Sequence, residues 1–191
     1  MHRTVGCGIL YLSILLEIRV TDMSRETVEW VPVSAPEQVR EVAALAKEIW
    51  GEHYRGLLTP GQITYMVDRF QSEEAITLQL SEGYQYRLIT VGDEPAGYAA
   101  YRTEEGRLFL SKLYVRKRFR RRGLARRTVD GLNRLCREQG LVALYLTVNR
   151  ENAGSIAAYL AMGFRKVREQ VTDIGEGYVM DDFIMEKAVE R

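Results

Sequence analysis

From Tyr84 to Val115 the chain passes through three stretches of alternating polar and apolar residues, YQYRLITV, AGYAAYRT and RLFLSKLYV. Only the short turns GDEP and EEG separate them. A period of two gives each stretch one buried and one solvated face, and turns this tight fold the chain straight back on itself. The segment is therefore expected to form a β-meander.

The period then changes. Between Arg116 and Arg127 eight basic side chains occupy twelve positions, interrupted by Phe119 and the small-residue step Gly123-Leu124-Ala125. GLARRTVDGLNRLCREQG follows with Leu124, Val129, Leu132 and Leu135-Cys136 on one helical face, and Gly140 as its stop. LVALYLTV is nearly all apolar and is expected as a strand buried on both faces. Asn152 is placed to cap the helix AGSIAAYLAM, Gly163 to end it in the left-handed conformation, and Phe164 to supply the apolar contact just beyond. FRKVREQVT and YVMDDFIMEKAV read as a closing pair of strands.

Ahead of the meander, TVEWVPV reads as a strand. Ser34 is expected to cap a helix opening APEQV, Thr59-Pro60 to open a second helix, and Ser72 to begin a third that ends near Gly83. The order β-α-α-α-β-β-β-α-β-α-β-β predicts an α/β protein: one domain, with a mixed, mostly antiparallel central sheet flanked by helices.

Charge narrows what the arginine-rich stretch can be for. The 27 basic residues are balanced by 26 acidic ones, whereas a dedicated nucleic-acid binder carries its basic excess globally. The cluster is a local device, and no nucleic acid is expected as a partner. Two cysteines (Cys7, Cys136) and two histidines (His2, His53) give no zinc-type spacing, so no metal is expected and no oxidising compartment is required. The protein reads as cytoplasmic. The apolar run from Val5 to Leu16 is short for a membrane span. Residues 1–22 read as an extension of uncertain status ahead of Met23, with an added strand or a membrane anchor as the alternatives; the domain is placed at 23–191, and no membrane partner is expected.

Strand, basic loop with glycine, then helix is an arrangement that holds phosphate. The first turn of a helix offers N–H groups without intrahelical acceptors and the positive end of the dipole, and glycine lets an anion approach the backbone. No Gly-Lys-Ser/Thr follows, which excludes a Walker loop, and the stretch is not G-x-G-x-x-G.

Arg120-x-x-Gly123-x-Ala125 after an apolar strand resembles the Q/R-x-x-G-x-G/A signature of the GNAT superfamily, the acetyl-CoA-dependent N-acetyltransferases. NRENAGSIAAYLAMGF is similar to the second motif of that superfamily, with Asn152, then Tyr159 seven residues on, then Gly163-Phe164. The resemblance covers roughly Val28 to Val189. The tail GFRKVREQVTDIGEGYVMDDFIMEK and the stretch WGEHYRGLLTPGQITYMV are similar to a bacterial subgroup that includes spermidine/spermine acetyltransferases.

The resemblance implies a division of labour. Backbone amides of Arg120, Arg121, Arg122, Gly123, Leu124 and Ala125, with Arg126, would hold the diphosphate of acetyl-CoA. Leu113 and Val115 would pair with its pantetheine arm, and Asn152 would add a contact beyond its capping role. Tyr159 would protonate the departing thiolate, although its spacing from Ile156 and Leu160 also suits a core aromatic. The amine would attack directly, with neither a covalent enzyme intermediate nor a metal.

Many family members carry a glutamate on the strand before the loop as base. LSKLYV offers Ser111 and Lys112 there, which leaves Glu29, His53, Asp181 and Asp182 as candidates. The acceptor is expected to be a small-molecule amine or polyamine. A protein N-terminus or lysine is the alternative, and a nucleic-acid-binding or regulatory module a third and weaker reading. Family members are often dimers, which leaves a homodimer open.

Overall fold

The meander is the middle of a larger sheet. The computed structural model describes residues 27–190, so the expectation about residues 1–22 lies outside the described residues. Seven strands, β1 (Val28–Pro32), β2 (Gln85–Val91), β3 (Glu94–Glu104), β4 (Arg107–Val115), β5 (Ala143–Asn149), β6 (Arg165–Gly175) and β7 (Tyr178–Ala188), lie in the order β1-β2-β3-β4-β5-β7-β6. All neighbours are antiparallel except β4 and β5. Helices α1 (Pro36–His53), α2 (Pro60–Gln71) and α3 (Glu73–Ser81) precede the meander; α4 (Leu124–Glu138) and α5 (Ala153–Ala161) follow it. This is the mixed, mostly antiparallel α/β sheet expected from the element order.

The two larger of three apolar cores among the described residues hold the layers together. Val42, Leu45, Ala46 and Ile49 of α1, Met66 of α2 and Ile76 of α3 pack on Tyr86, Leu88, Tyr98 and Ala100 of β2 and β3. Val129, Leu132 and Cys136 of α4 and Ile156 of α5 pack on the other face against Leu108, Leu110, Leu144, Leu146, Phe183 and Met185. Cys136 is fully buried, and burial pushes its thiol up to about 11, as suits a small core residue rather than a nucleophile.

One cap differs from expectation. Pro36 takes the first helical position of α1, so the cap falls on Ala35 rather than Ser34. The Gln38 side chain supplies the missing acceptor, receiving N–H bonds from Ser34 (2.9 Å) and Ala35 (3.0 Å). Thr59 and Ser72 cap α2 and α3 as expected, accepting from the N–H groups of Gln62 and Ala75 at 3.2 Å each.

The feature that matters most for function is where the sheet comes apart. β4 and β5 pair over two positions only, Leu108 with Leu144 and Phe109 with Tyr145. Beyond them each strand keeps its outer neighbour, β3 or β7, and loses the inner one. A bulge coincides with this parting: Ala100 pairs with Lys112 and Tyr101 with Leu110, leaving Ser111 unpaired. The extra residue reverses the alternation, so Leu108 and Leu110 face α4 while Lys112 and Tyr114 turn toward α1–α3. Near the end of the strand the backbones of β3 and β4 are so close that a Cβ on Gly97 would lie 2.3 Å from the Tyr114 carbonyl oxygen. Glycine is required there.

β5 corrects another expectation. Leu144, Leu146 and Val148 are buried, but Thr147 is exposed and Tyr145 and Asn149 are half-buried, so one face alone is packed. The α1–α3 layer covers β2 to β4 and stops short of β5, which leaves the far face of the strand open beside the parting.

Lys112 is buried at 7% exposure and faces no carboxylate. It donates to Gln79 Oε1 at 2.6 Å and Ser111 Oγ at 3.3 Å. Burial lowers its pKa from 10.5 to about 8, so below pH 8 the native state carries the full cost of the ammonium. Stability therefore rises with pH between about 8 and 10.5, where the unfolded chain retains a proton that the native one has released. Lys112→Met keeps the volume and leaves Gln79 Oε1 bonded to the Tyr86 hydroxyl (2.9 Å). The substitution is expected to raise the melting temperature by a few degrees at pH 7, with the gain shrinking by pH 10, in thermal scans at the two pH values.

Candidate active site

The helix α4 starts at Gly123, whose φ is +81°, and Arg121 two residues earlier is also left-handed at +63°. A side chain held at positive φ is uncommon, and left-handed residues in a turn bring successive N–H groups onto one concave side. The first intrahelical bond runs from Arg127 N–H to the Gly123 carbonyl at 2.9 Å. The N–H groups of Leu124, Ala125 and Arg126 precede it and have no carbonyl one turn back. The head of α4 is thus a set of donors with the positive end of the helix dipole behind it, the chemistry of a diphosphate site.

The arginines are divided in their work. Arg116 reaches Glu48 (2.7 Å) and the Pro95 carbonyl (2.7 Å), Lys117 lies 3.4 Å from Glu52, and Arg118 pairs with Glu94. These three are bound to acidic partners, chiefly on α1, and stand apart from the donor set. The Arg120 side chain folds back through Nε to the Val115 carbonyl at 2.9 Å, and its backbone N–H is taken by Lys117 in a single 3-10 turn at 3.2 Å. Of the predicted loop donors, Arg120 therefore fixes the loop to the end of β4, with its own N–H already used. Arg126 ties α4 to α5 by donating to the Ala161 carbonyl at 2.9 Å. The Arg122 guanidinium lies over the Phe119 ring at 5.2 Å.

Leu113 and Val115 stand on β4 past the point where β5 departs, so the backbone edge of β4 that would face β5 lies open there. An exposed strand edge is a template for an extended, amide-bearing chain. Asn152 caps α5: its Oδ1 accepts from Ser155 N–H at 3.2 Å. That bond orients the amide, and Nδ2, which can only donate, meets His53 Nε2 at 3.0 Å. The imidazole must then accept at Nε2 and carry its proton on Nδ1. Burial, followed by the charge of Arg120, lowers the His53 pKa against an opposing effect from Glu52, so the ring is neutral at pH 7.

Tyr159 packs edge-on against Phe164 at 5.4 Å, and its hydroxyl hydrogen-bonds to no described residue. Burial pushes its pKa up, with Tyr54 adding to the effect, so it holds its proton until a strong base appears beside it. Tyr54 is the hub of this region. Its hydroxyl bonds that of Tyr114 at 3.1 Å, its ring lies tilted against Trp50 at 4.6 Å and edge-on to His53 at 4.8 Å, and burial pushes its pKa to about 12. Trp50 in turn donates to the Tyr98 hydroxyl, which donates to Gln71, each at 3.1 Å.

The four candidates for the base separate cleanly. Glu29 sits on the edge strand β1, three strands from β4. Asp181 turns to the α5 side and pairs with Arg150 at 3.0 Å. His53 touches Asn152 and the Tyr54 ring, and Asp182 lies on the face of β7 away from the α4–α5 core, paired with Asn149 of β5. Tyr54, Tyr114 and Trp50 were not singled out in the sequence. The bulge at Ser111, which turns Tyr114 inward, leaves no pattern there to read.

A helix head of N–H donors beside a forked sheet is an arrangement suited to a substrate that joins a phosphate group to an extended arm. The chain belongs to the acetyltransferase (GNAT) family, whose model matches residues 43–164. It is 43% identical over 74 residues to a thialysine N-epsilon-acetyltransferase of Caenorhabditis elegans. That match covers 36% of this chain and 46% of the relative, so the chain aligns with about half the length of that curated protein. The fold is similar to that of the PaiA N-acetyltransferase of Thermoplasma acidophilum in complex with coenzyme A, with a TM-score of 0.70 at 19% identity over 84% of this chain and 98% of that one. It is also similar to the ribosomal-protein-S18-alanine N-acetyltransferase of Escherichia coli, with a TM-score of 0.63 at 19% identity over 86% and 95% of the two chains.

Proposed function

We propose that this protein transfers the acetyl group of acetyl-CoA to the primary amine of a small cationic molecule. The observation that carries the reading is the juxtaposition of the head of α4 with the open edge of β4. The N–H groups at the start of α4 receive the diphosphate, and the edge at Leu113 and Val115 pairs with the pantetheine arm. The acetyl group then lies beside the Tyr54–Tyr114–Tyr159 cluster. Tyr159 gives its proton to the leaving sulfur; the enzyme otherwise contributes position, since holding two reactants together is worth up to roughly 7–11 kcal/mol.

A small acceptor is favoured by the way the site is flanked. The β6–β7 hairpin is strapped to α2: Gln62 donates to the Val179 carbonyl at 3.1 Å, Tyr65 to the Ile174 carbonyl, and Tyr65 stacks on Tyr178 at 5.4 Å. A strapped hairpin of this kind favours a small acceptor over a polypeptide. The relative acting on thialysine, an amine, supports the same choice. The pairing of Arg116, Lys117 and Arg118 with glutamates weighs against a nucleic-acid module, and no described helix is long and apolar enough to cross a membrane.

The test is thiol release from acetyl-CoA over a panel of polyamines, lysine analogues, aminoglycosides and peptides with free N-termini. Turnover with a small diamine or lysine analogue is expected. Turnover confined to peptides would transfer the reading to protein acetylation, and binding of DNA or RNA that coenzyme A does not compete away would overturn it.

A further inference from the structure

Asp182 is 7% exposed, yet its carboxylate has no hydrogen bond or ion pair among the described residues, and its Oδ1 is closed off from solvent. A buried ionised carboxylate without a partner is costly, and it persists where a ligand cation completes it. Its place in the fold says which ligand. Phe183 and Met185 point into the α4–α5 core, so Asp182 points to the opposite face, the one on which Met180 packs against the α1–α3 core. It pairs with Asn149 at the end of β5, past the point where that strand has parted from β4.

The neighbours leave it without a cation. Asn149 on β5 and Gln170 on β6 are neutral, as are His53 at the end of α1 and Tyr54 just after it. Asp181 is turned to Arg150, which also holds Glu169 at 2.7 Å, and Arg120 is committed to the Val115 carbonyl.

We propose that Asp182 receives the ammonium group of the acceptor and takes its proton, so that the enzyme selects cationic primary amines. This rests on the reading of the site as an amine acetyltransferase. The carboxylate accepts one proton from the ammonium and becomes a neutral acid. The freed lone pair forms the C–N bond at the acetyl carbon, the C–S bond breaks with its electrons on sulfur, and Tyr159 protonates that sulfur. The nitrogen then releases its second proton to restore Tyr159, and Asp182 returns the first to water. Ammonium and thioester thus give amide, thiol and one proton. Burial, with Asp181 adding, pushes the Asp182 carboxyl up to about 6, which makes it a stronger base than an ordinary carboxylate.

The experiment compares wild type, Asp182→Asn, Asp182→Glu and His53→Gln on whichever panel amine the wild type turns over fastest. For Asp182→Asn, kcat/KM for the amine should fall about a thousandfold while the acetyl-CoA Kd changes less than twofold. The acid limb of the kcat/KM profile near pH 6 should vanish in that variant, persist in His53→Gln, and be partly restored in Asp182→Glu.

Stability gives a readout independent of turnover. The native pKa lies above the ordinary 3.8, so stability is lost as pH rises from about 3.8 through about 6, and Asp182→Asn should melt higher than wild type at pH 8, with the gain shrinking toward pH 4. An active wild type whose Asp182→Asn form keeps its kcat/KM and its acid limb, or melts lower at pH 8, would overturn the assignment of Asp182 alone. A wild type that neither binds acetyl-CoA nor acetylates any amine would overturn the reading of the site beneath it.

Discussion

Gly123→Val is expected to weaken acetyl-CoA binding by at least a hundredfold, about 2.7 kcal/mol. Two effects combine. Gly123 sits at φ +81°, a conformation that costs an L-residue roughly 1–2 kcal/mol and a β-branched one more, so valine would pull the turn out of shape. The turn is also the mouth of the donor set, and side-chain atoms there would hold an anion away from the N–H groups of Leu124, Ala125 and Arg126. The loss is not one of packing, because a Cβ on Gly123 meets nothing within 4 Å. Gly123→Ala should accordingly fold, lose about 1 kcal/mol of stability, and bind coenzyme A with intermediate affinity. Calorimetric titration reads the affinities, and circular dichroism confirms that the variants are folded. Wild-type affinity in the valine variant would show that the diphosphate binds elsewhere.

Tyr159→Phe is expected to lower kcat by a factor of about 10² to 10⁴, the usual worth of a positioned general acid, with the acetyl-CoA Kd changed less than twofold. The hydroxyl makes no hydrogen bond to the rest of the described protein, so its removal should leave the melting temperature within about a degree of wild type. That combination distinguishes an acid from a core aromatic. A core tyrosine with a satisfied hydroxyl would lose stability and keep its turnover. Tyr54→Phe is the instructive contrast, since it breaks the bond to Tyr114 and should lower both quantities moderately.

The order of elements was legible because each has strong local signals. Gly140 and Gly163 adopt the positive φ that suits a residue just past a helix, and Thr59, Ser72 and Asn152 cap the helices they precede. Where a local signal had a competitor, it lost. Pro36 displaced the cap from Ser34 to Ala35, and the Gln38 side chain reaches back to accept the N–H groups of both.

The site was half legible. The head of α4 and Tyr159 can be found because each stands at a fixed spacing from a glycine. His53 and Asp182 could be named but not chosen, since burial and the absence of a partner are tertiary facts. Tyr54 and Tyr114 could not be found at all. The bulge at Ser111 changes which face Tyr114 takes, and the parting of β4 from β5, which opens the edge at Leu113 and Val115, is decided by strand pairing between residues more than thirty positions apart.

The central claim is that main-chain donors at the start of α4 grip a diphosphate while β4 offers its free edge to the chain attached to it. A crystal structure of the protein with coenzyme A tests it most directly. The expected result is diphosphate density within hydrogen-bonding distance of the N–H groups between Arg121 and Arg126, with the pantetheine arm running in the fork between β4 and β5 and the sulfur near Tyr159. Coenzyme A seated on another face, with that turn and that fork both vacant, would contradict it.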